Sequence, residues 1–519
     1  MKKSMIAMAL FFSCTYAIAQ TEFDASKYIQ TDINGTARYM SMAGAFGALG
    51  GDASAIKDNP AGLGIYRKSE IVGTMNTLMQ NSTSNWKFTD NNLSKNSYGY
   101  GDMYKIGANN FSFVLATPTL KSESGTNGLQ SSNWSFSYNR LKNFDRNINI
   151  KSGASQSSMT DYLAYFSEGF YAIDLQYGRN INELFDNPNI PTLSVYGYQG
   201  FLMDSVSKGN WLSSISNKVT PSYQLLEKGH LDEYSIGWAG NFSNVFFLGA
   251  TINYQALNYT AISKYSETFG SEGNMNIGDT LYTKGNGVNL NIGMIACPTD
   301  NIRLGLSLHT PTIFSLTDDY YSTLVYTREK IVNMPITGPA IRKYYQFQNP
   351  MQLNASIAYI LGTKGLISAE YVYNNYTGSR LMSDSGNSQD YSDENDGMKQ
   401  VLNDVRTIKI GAEYKLTNNF SLRAGYANTN NGTKPDAEKL LQLNTKRVDV
   451  EYFLQNNTNY FTAGFGYREA SWFIDFAYMN KILDETFYPY RTSVLANKAN
   501  PASVITNNNN AVITLGLKF

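Results

Sequence analysis

The fold this sequence predicts is all-β: a transmembrane antiparallel β-barrel of about fourteen strands with an N-terminal hatch inside the lumen. Three observations carry it. Charged residues make up 16% of the 519-residue chain, while it holds 38 Tyr and 27 Phe; ordinary soluble domains carry about 25% charge. Beyond the N-terminus no run of about 18 apolar residues is long enough to span a bilayer as a helix. From Ser69 onward the apolar pattern has period two, and tight polar turns alternate with long polar connections, as in barrels with short inner turns and long outer loops.

Residues 1–19 read as a signal peptide. Lys2 and Lys3 form a basic start, Met5 to Phe12 a short apolar stretch, and Ala17-Ile18-Ala19 the small residues of a cleavage site. Cys14 leaves with it, so Cys297 is the single cysteine of the mature chain and no intrachain disulfide can form. Gln20 to Ala37 is polar and unpatterned and reads as an extended lead-in. The stretch from Arg38 to Ile65, rich in Gly and Ala and broken by Asn59-Pro60, cannot be a strand; it is expected to fold into the space the strands enclose. Residues 20–68 are thus read as lead-in and hatch, and 69–519 as the barrel. Asp52 is placed to cap a short helix through Ile56, which Asn59-Pro60 stops. The spacing G-x-x-G-x-x-G-G is not that of a dinucleotide-binding loop, and no apolar strand precedes it.

The strands are expected near 69–80, 107–118, 131–148, 232–241, 245–260, 281–297, 301–316, 346–360, 365–376, 405–416, 420–430, 458–468, 472–484 and 510–519. In the clearest hairpin Ile408, Ile410, Ala412, Tyr414 and Leu416 alternate with Lys409, Gly411, Glu413 and Lys415, then Thr417-Asn418-Asn419 turns the chain. Tight turns are read at Phe242–Asn244, Pro298–Asn301, Leu361–Lys364, Thr417–Asn419 and Glu469–Ser471. The long connections are 81–106, 151–230, 261–280, 317–345, 377–404, 431–457 and 486–509. Within the largest, 151–230, Met159–Phe166 and Tyr223–Glu227 read as short helices. The last strand places Ala511, Ile513, Leu515, Leu517 and Phe519 on one face, and this terminal-Phe strand resembles the signal that outer-membrane assembly machinery reads.

Chemistry is sparse. His230 and His309 are the only histidines and neither lies near a nucleophile motif, so no enzyme, metal or cofactor is expected. Asp318-Asp319 and Asp390 to Asp396 read as solvated loop charge, with calcium binding through carboxylate oxygens as the alternative. Lys+Arg equals Asp+Glu at 42 each, which argues against nucleic acid as a partner.

The hatch segment, with Gly47, Gly50, Gly51, Asp52-Ala53-Ser54 and Asn59-Pro60-Ala61, resembles the N-terminal hatch of the FadL/TodX family of outer-membrane transporters for long-chain fatty acids and other hydrophobic compounds. Arg303-Leu304-Gly305-Leu306 with His309-Thr310-Pro311-Thr312, Leu422-Arg423-Ala424-Gly425-Tyr426 and Gly464-Phe465-Gly466-Tyr467 are similar too. The resemblance implies a bilayer-embedded barrel in a Gram-negative-type outer membrane. It implies capture of a hydrophobic small molecule, fatty acid or similar, in an apolar pocket by the hatch, then release by hatch movement or through the wall. Phe46, Leu49, Ile56 and Leu63 are the hatch side chains expected against such a ligand. The alternative is a structural or adhesive surface barrel whose loops bind a partner. An apolar pocket at the hatch separates the two.

Overall fold

Alternating side chains leave each strand with one apolar and one polar face, and the two faces are buried only if the sheet closes on itself. A computed structural model describes residues 22–90, 93–119, 128–176, 180–328, 331–442 and 445–519; the signal peptide 1–19 lies outside them. The described strands form a closed 14-strand antiparallel barrel. In chain order they are β1 (Glu70–Asp90), β2 (Leu93–Pro118), β3 (Leu129–Asn143, resuming as Arg146–Lys151), β4 (Thr220–Phe242), β5 (Phe246–Thr268), β6 (Asn274–Ala296), β7 (Ile302–His309, then Ile313–Arg328), β8 (Ile331–Thr337, Ile341–Gln348 and Gln352–Ile360), β9 (Gly365–Asn374), β10 (Val405–Lys415), β11 (Phe420–Thr429), β12 (Tyr452–Arg468), β13 (Trp472–Tyr488) and β14 (Ala502–Lys518). β14 closes on β1 from Glu70↔Lys518 to Trp86↔Ala502.

The wall alternates as read. Ile408, Ile410, Tyr414 and Leu416 point outward and are exposed, whereas Lys409 and Glu413 are buried in the lumen. Leu515, Leu517 and Phe519 are likewise exposed on the last strand. A continuous exposed apolar belt on a closed wall is stable in hydrocarbon, where its side chains meet lipid and neighbouring strands pair their backbone groups along most of the wall.

All the tight turns are present. In the three-residue β4–β5 connection Ser243 and Asn244 adopt left-handed φ of 57° and 58°, and Val245 N donates to Phe242 O at 3.1 Å. The long connections are shorter than expected. β1 and β2 stay paired out to Asp90↔Leu93, so 81–106 is a tall hairpin. Similarly β5 and β6 pair to Thr268↔Asn274, which absorbs most of 261–280, and β7 and β8 take up most of 317–345. In these extensions the outer face turns more polar while the inner face, with Tyr265, Leu281 and Leu324 buried, packs inward, so the apolar-out alternation fades while backbone pairing continues.

Two further expectations are corrected. The lead-in contains α1 (Glu22–Ile29), eight residues that are marginal alone and held by Phe23 and Tyr28, both buried in the lumen. Tyr223–Glu227 lies within β4 rather than in a helix. Met159–Phe166 is helical (α3 here, after α2, Ala37–Ser41), opened by a capping box of Ser158 and Asp161. It joins α4 (Asn182–Asp186), α5 (Thr192–Gln199) and a small hairpin (Met203–Ser207, Asn210–Ser213). Leu163, Tyr196 and Trp211 of this insertion share one apolar cluster with Tyr320 and Leu324 of β7, so it caps the outer mouth. The acidic stretch 390–396 opens α6 (Ser392–Val401), where Asp393 and Glu394 oppose the positive helix end.

Candidate functional site in the lumen

The hatch is a chain of caps. Thr36 caps α2 through Tyr39 N at 3.2 Å and donates to Asp52 Oδ1 at 2.8 Å. Asp52 accepts from Ser54 N at 3.0 Å and opens the 3₁₀ turn Ala53–Lys57. Asn59 accepts from Ala61 N at 3.1 Å and opens a second, Pro60–Ile65, with Pro60 where no N–H is needed. Gly50 (φ 58°) and Gly62 lie back to back; a Cβ on Gly50 would stand 2.6 Å from Gly62 Cα. The motif residues Gly47, Gly50, Gly51, Asp52, Asn59, Pro60 and Ala61 are therefore brought into one compact fold.

That fold is fastened to the wall by polar contacts. Asp58 O accepts from Ser307 Oγ at 2.6 Å and Asn354 Nδ2 at 3.1 Å, with His309 Nε2 at 2.9 Å. Asn59 Nδ2 donates to Gly47 O at 2.7 Å and to Met294 O at 3.2 Å. Glu370 accepts from Gly47 N at 2.7 Å and pairs with Lys409 at 2.9 Å. At the inner end Arg38 of the hatch pairs with Glu413 at 2.9 Å, and the chain continues through Arg423 to Asp475. These wall residues were not singled out from the sequence, although charges facing a lumen were a signal. Strand glycines were another. A Cβ on Gly249 would stand 2.5 Å from Pro60, on Gly293 2.0 Å from Asn59 Oδ1, and on Gly305 2.4 Å from Gly47 O. Glycine inside a strand marks close approach of another backbone.

Two chambers lie outward of the hatch, on either side of α1. The first, about 140 Å³, is floored by Tyr39, Lys57 and Asp58. Its walls are polar, with Gln255, Asn289, Gln352, Thr407 and Thr458 among them. This corrects the expectation of an apolar pocket at the hatch: at this level the strands turn amides and hydroxyls into the lumen, and the apolar lumen side chains, such as Tyr320 and Leu324, lie farther out under the insertion. Phe46, Leu49, Ile56 and Leu63 do not border it. Phe46 and Leu49 pack with Ile33, Met40 and Ala358, and Ile56 and Leu63 with Tyr66, Val114 and Ala239. The second chamber, about 130 Å³, mixes aromatics such as Phe23, Phe144 and Tyr223 with charge. There Arg447 Nη1 binds Asp24 Oδ2 at 2.6 Å, and Lys439 meets Asp449 at 2.8 Å. Burial raises the Asp24 and Asp449 carboxyls, but Arg447, joined by Lys27 beside Asp24 and by Lys439 beside Asp449, outweighs it and holds both below the usual range.

Among the described residues the wall has a weak seam between β2 and β3. β2 pairs with β3 only from Pro118↔Ser131 to Asn110↔Asn139. At Phe144–Asp145 the third strand breaks, and Arg146–Lys151 pairs with β4 alone while lying against the inner face of β1 and β2. Ser82 Oγ donates to Asn147 O at 2.6 Å and Ser84 Oγ to Asn149 O at 2.8 Å. Beyond Asn110 side-chain contacts, Lys105 to Asp145 among them, replace the backbone ladder between β2 and β3.

No family model and no curated protein matches this sequence. Among solved structures, the crystal structure of a Pseudomonas aeruginosa FadL homologue matches with TM-score 0.53 at 11% identity, over 94% of this chain and 99% of that one. This chain has the fold of that FadL homologue. The Pseudomonas putida toluene transporter TodX is similar at TM-score 0.49 and 13% identity, over 94% of this chain and 99% of that one. At such identity the FadL-like likeness is one of backbone course alone.

Proposed function

We propose that this protein is an outer-membrane channel for hydrophobic compounds, closed by its hatch and opened sideways at the β2–β3 seam. The observation that carries the reading is that seam beside a plugged lumen. A plug held by many wall bonds blocks the axial path, while the adjoining wall lacks its backbone ladder. A lipophile entering from outside can then leave into the bilayer after parting only side-chain contacts, each a small free-energy term. The FadL-like fold supports the same reading, since FadL and TodX are transporters. The terminal Phe519 strand is read as the mark for the assembly machinery, and the protein as a channel, not an enzyme.

The test is uptake into proteoliposomes with the seam locked. Lys105→Cys with Asp145→Cys, joined by a short bis-maleimide, is expected to abolish uptake of a labelled lipophile, and the unlinked double variant to retain it. Unchanged uptake by the linked protein sinks the lateral route.

A further inference from the structure

We propose that the chamber on the hatch recognises a neutral, hydroxyl-bearing ring, presented as a free polyol or as the head group of an amphiphile. This deepens the uptake reading and rests on it for the route, but not for the chemistry.

Each lysine around the chamber is already paired, and Glu233, which also lines it, accepts from Gln255 Nε2 and Ser235 Oγ. Lys57 is bound to Asp58 at 3.2 Å, Lys409 to Glu370 at 2.9 Å and Lys481 to Asp32 at 2.5 Å. An anion would have to displace a carboxylate already seated on each cation. What remains for a ligand is neutral: amides and hydroxyls contributed by β5, β6, β8, β10 and β12. Acceptors are in surplus. Gln255 donates through Nε2 to Glu233 at 2.9 Å, and its Oε1, like Asn349 Oδ1, is buried behind the lining without a hydrogen-bond partner among the described residues, within reach of a ligand once the amide turns. Both residues border the chamber. A hydrocarbon would leave such acceptors stranded in a dry site, whereas a ligand rich in O–H donors satisfies them. Size sets the rest. A cavity of about 150 Å³ admits one benzene-sized ring, so 140 Å³ fits a single six-membered ring and not an oligomer. Tyr376 and Tyr460, which also line it, offer flat faces to such a ring.

The test is calorimetric titration of the full-length mature protein in lipid nanodiscs with octyl glucoside below its micelle threshold, methyl glucoside, decanoate and toluene. Saturable binding of octyl glucoside is expected, weakened about tenfold by Gln255→Leu and by Thr407→Val on the opposite wall, with heat-modifiable gel migration unchanged. If methyl glucoside binds as tightly, ring recognition holds but the occupant is a free solute, and uptake of lipophiles falls. If decanoate or toluene binds and neither glucoside does, the inference is overturned and the uptake reading stands. Glucoside binding that neither substitution affects overturns it as well. Absence of binding by all four overturns both.

Discussion

Asn59 does three jobs with one side chain: it caps the second 3₁₀ turn, ties Gly47 and reaches Met294 of the wall. Asn59→Leu removes all three and leaves a buried carbonyl unpaired, a cost of about 2–4 kcal/mol summed over cap and bonds. The expected result is a hatch that hydrogen-exchange measurements find less protected, on a barrel whose heat-modifiable migration is unchanged. Loss of that migration would make the motif part of the barrel's own folding. Gly305→Ala acts from the other side. Its methyl would meet Gly47 O, which is backbone and cannot swing away, so the hatch is expected to shift, seen as labelling of a cysteine placed at Ser54. Ser54 is fully buried in the native hatch, and an unlabelled cysteine there would show that the wall yields instead.

At the scale of elements, the loop carrying Val448 and Val450 folds into the lumen and meets α1 through Arg447 and Asp24. Both carboxylates there, Asp24 and Asp449, have lowered values when folded. Their contribution is thus full above the ordinary carboxylate value near 3.8 and is lost as pH falls through the lowered folded values. Pepsin digestion is expected to spare this loop near pH 4 and cut it as pH approaches 2. Equal cutting at both would show that packing rather than the ion cluster holds it. The third strand makes a similar point about local rules. RLKNFDRNINI gives no Gly or Pro to mark a break, yet the strand leaves the wall at Phe144–Asp145, because Ser82 and Ser84 offer the inner face of β1 as a polar bed.

For the whole molecule the plug and the wall are separable in kind. The wall is held by backbone ladders that close on themselves from β14 to β1, and the plug by side-chain contacts within it. Deleting residues 22–66 is expected to leave a barrel that still migrates as folded but conducts ions in a planar bilayer, where the intact protein stays closed. A deletion variant that fails to assemble would show that the plug is a folding element of the wall.

The alternation of Ile408 to Leu416, the turns at Ser243-Asn244 and Thr417–Asn419 and the outward Phe519 were legible because each is a local rule: side chains in a strand alternate, and turns need particular backbone angles. Asp52 as a cap was legible for the same reason, whereas Asn59, read only as part of a stop, proved to cap the second turn. Strand ends above the bilayer were not legible, since the apolar-out alternation fades there while pairing persists. Nor were the residues that make the site. Glu370 with Lys409 and Ser307 with Asn354 face one another across neighbouring strands joined by long connections, and Gly293 meets Asn59 of the hatch; only register and the seat of the hatch set them side by side. The sequence by itself determined a closed antiparallel barrel with an outward apolar face. That the chamber on the plug is polar, and that the wall has a weak seam between β2 and β3, was decided by tertiary structure, because both depend on which faces meet across the lumen.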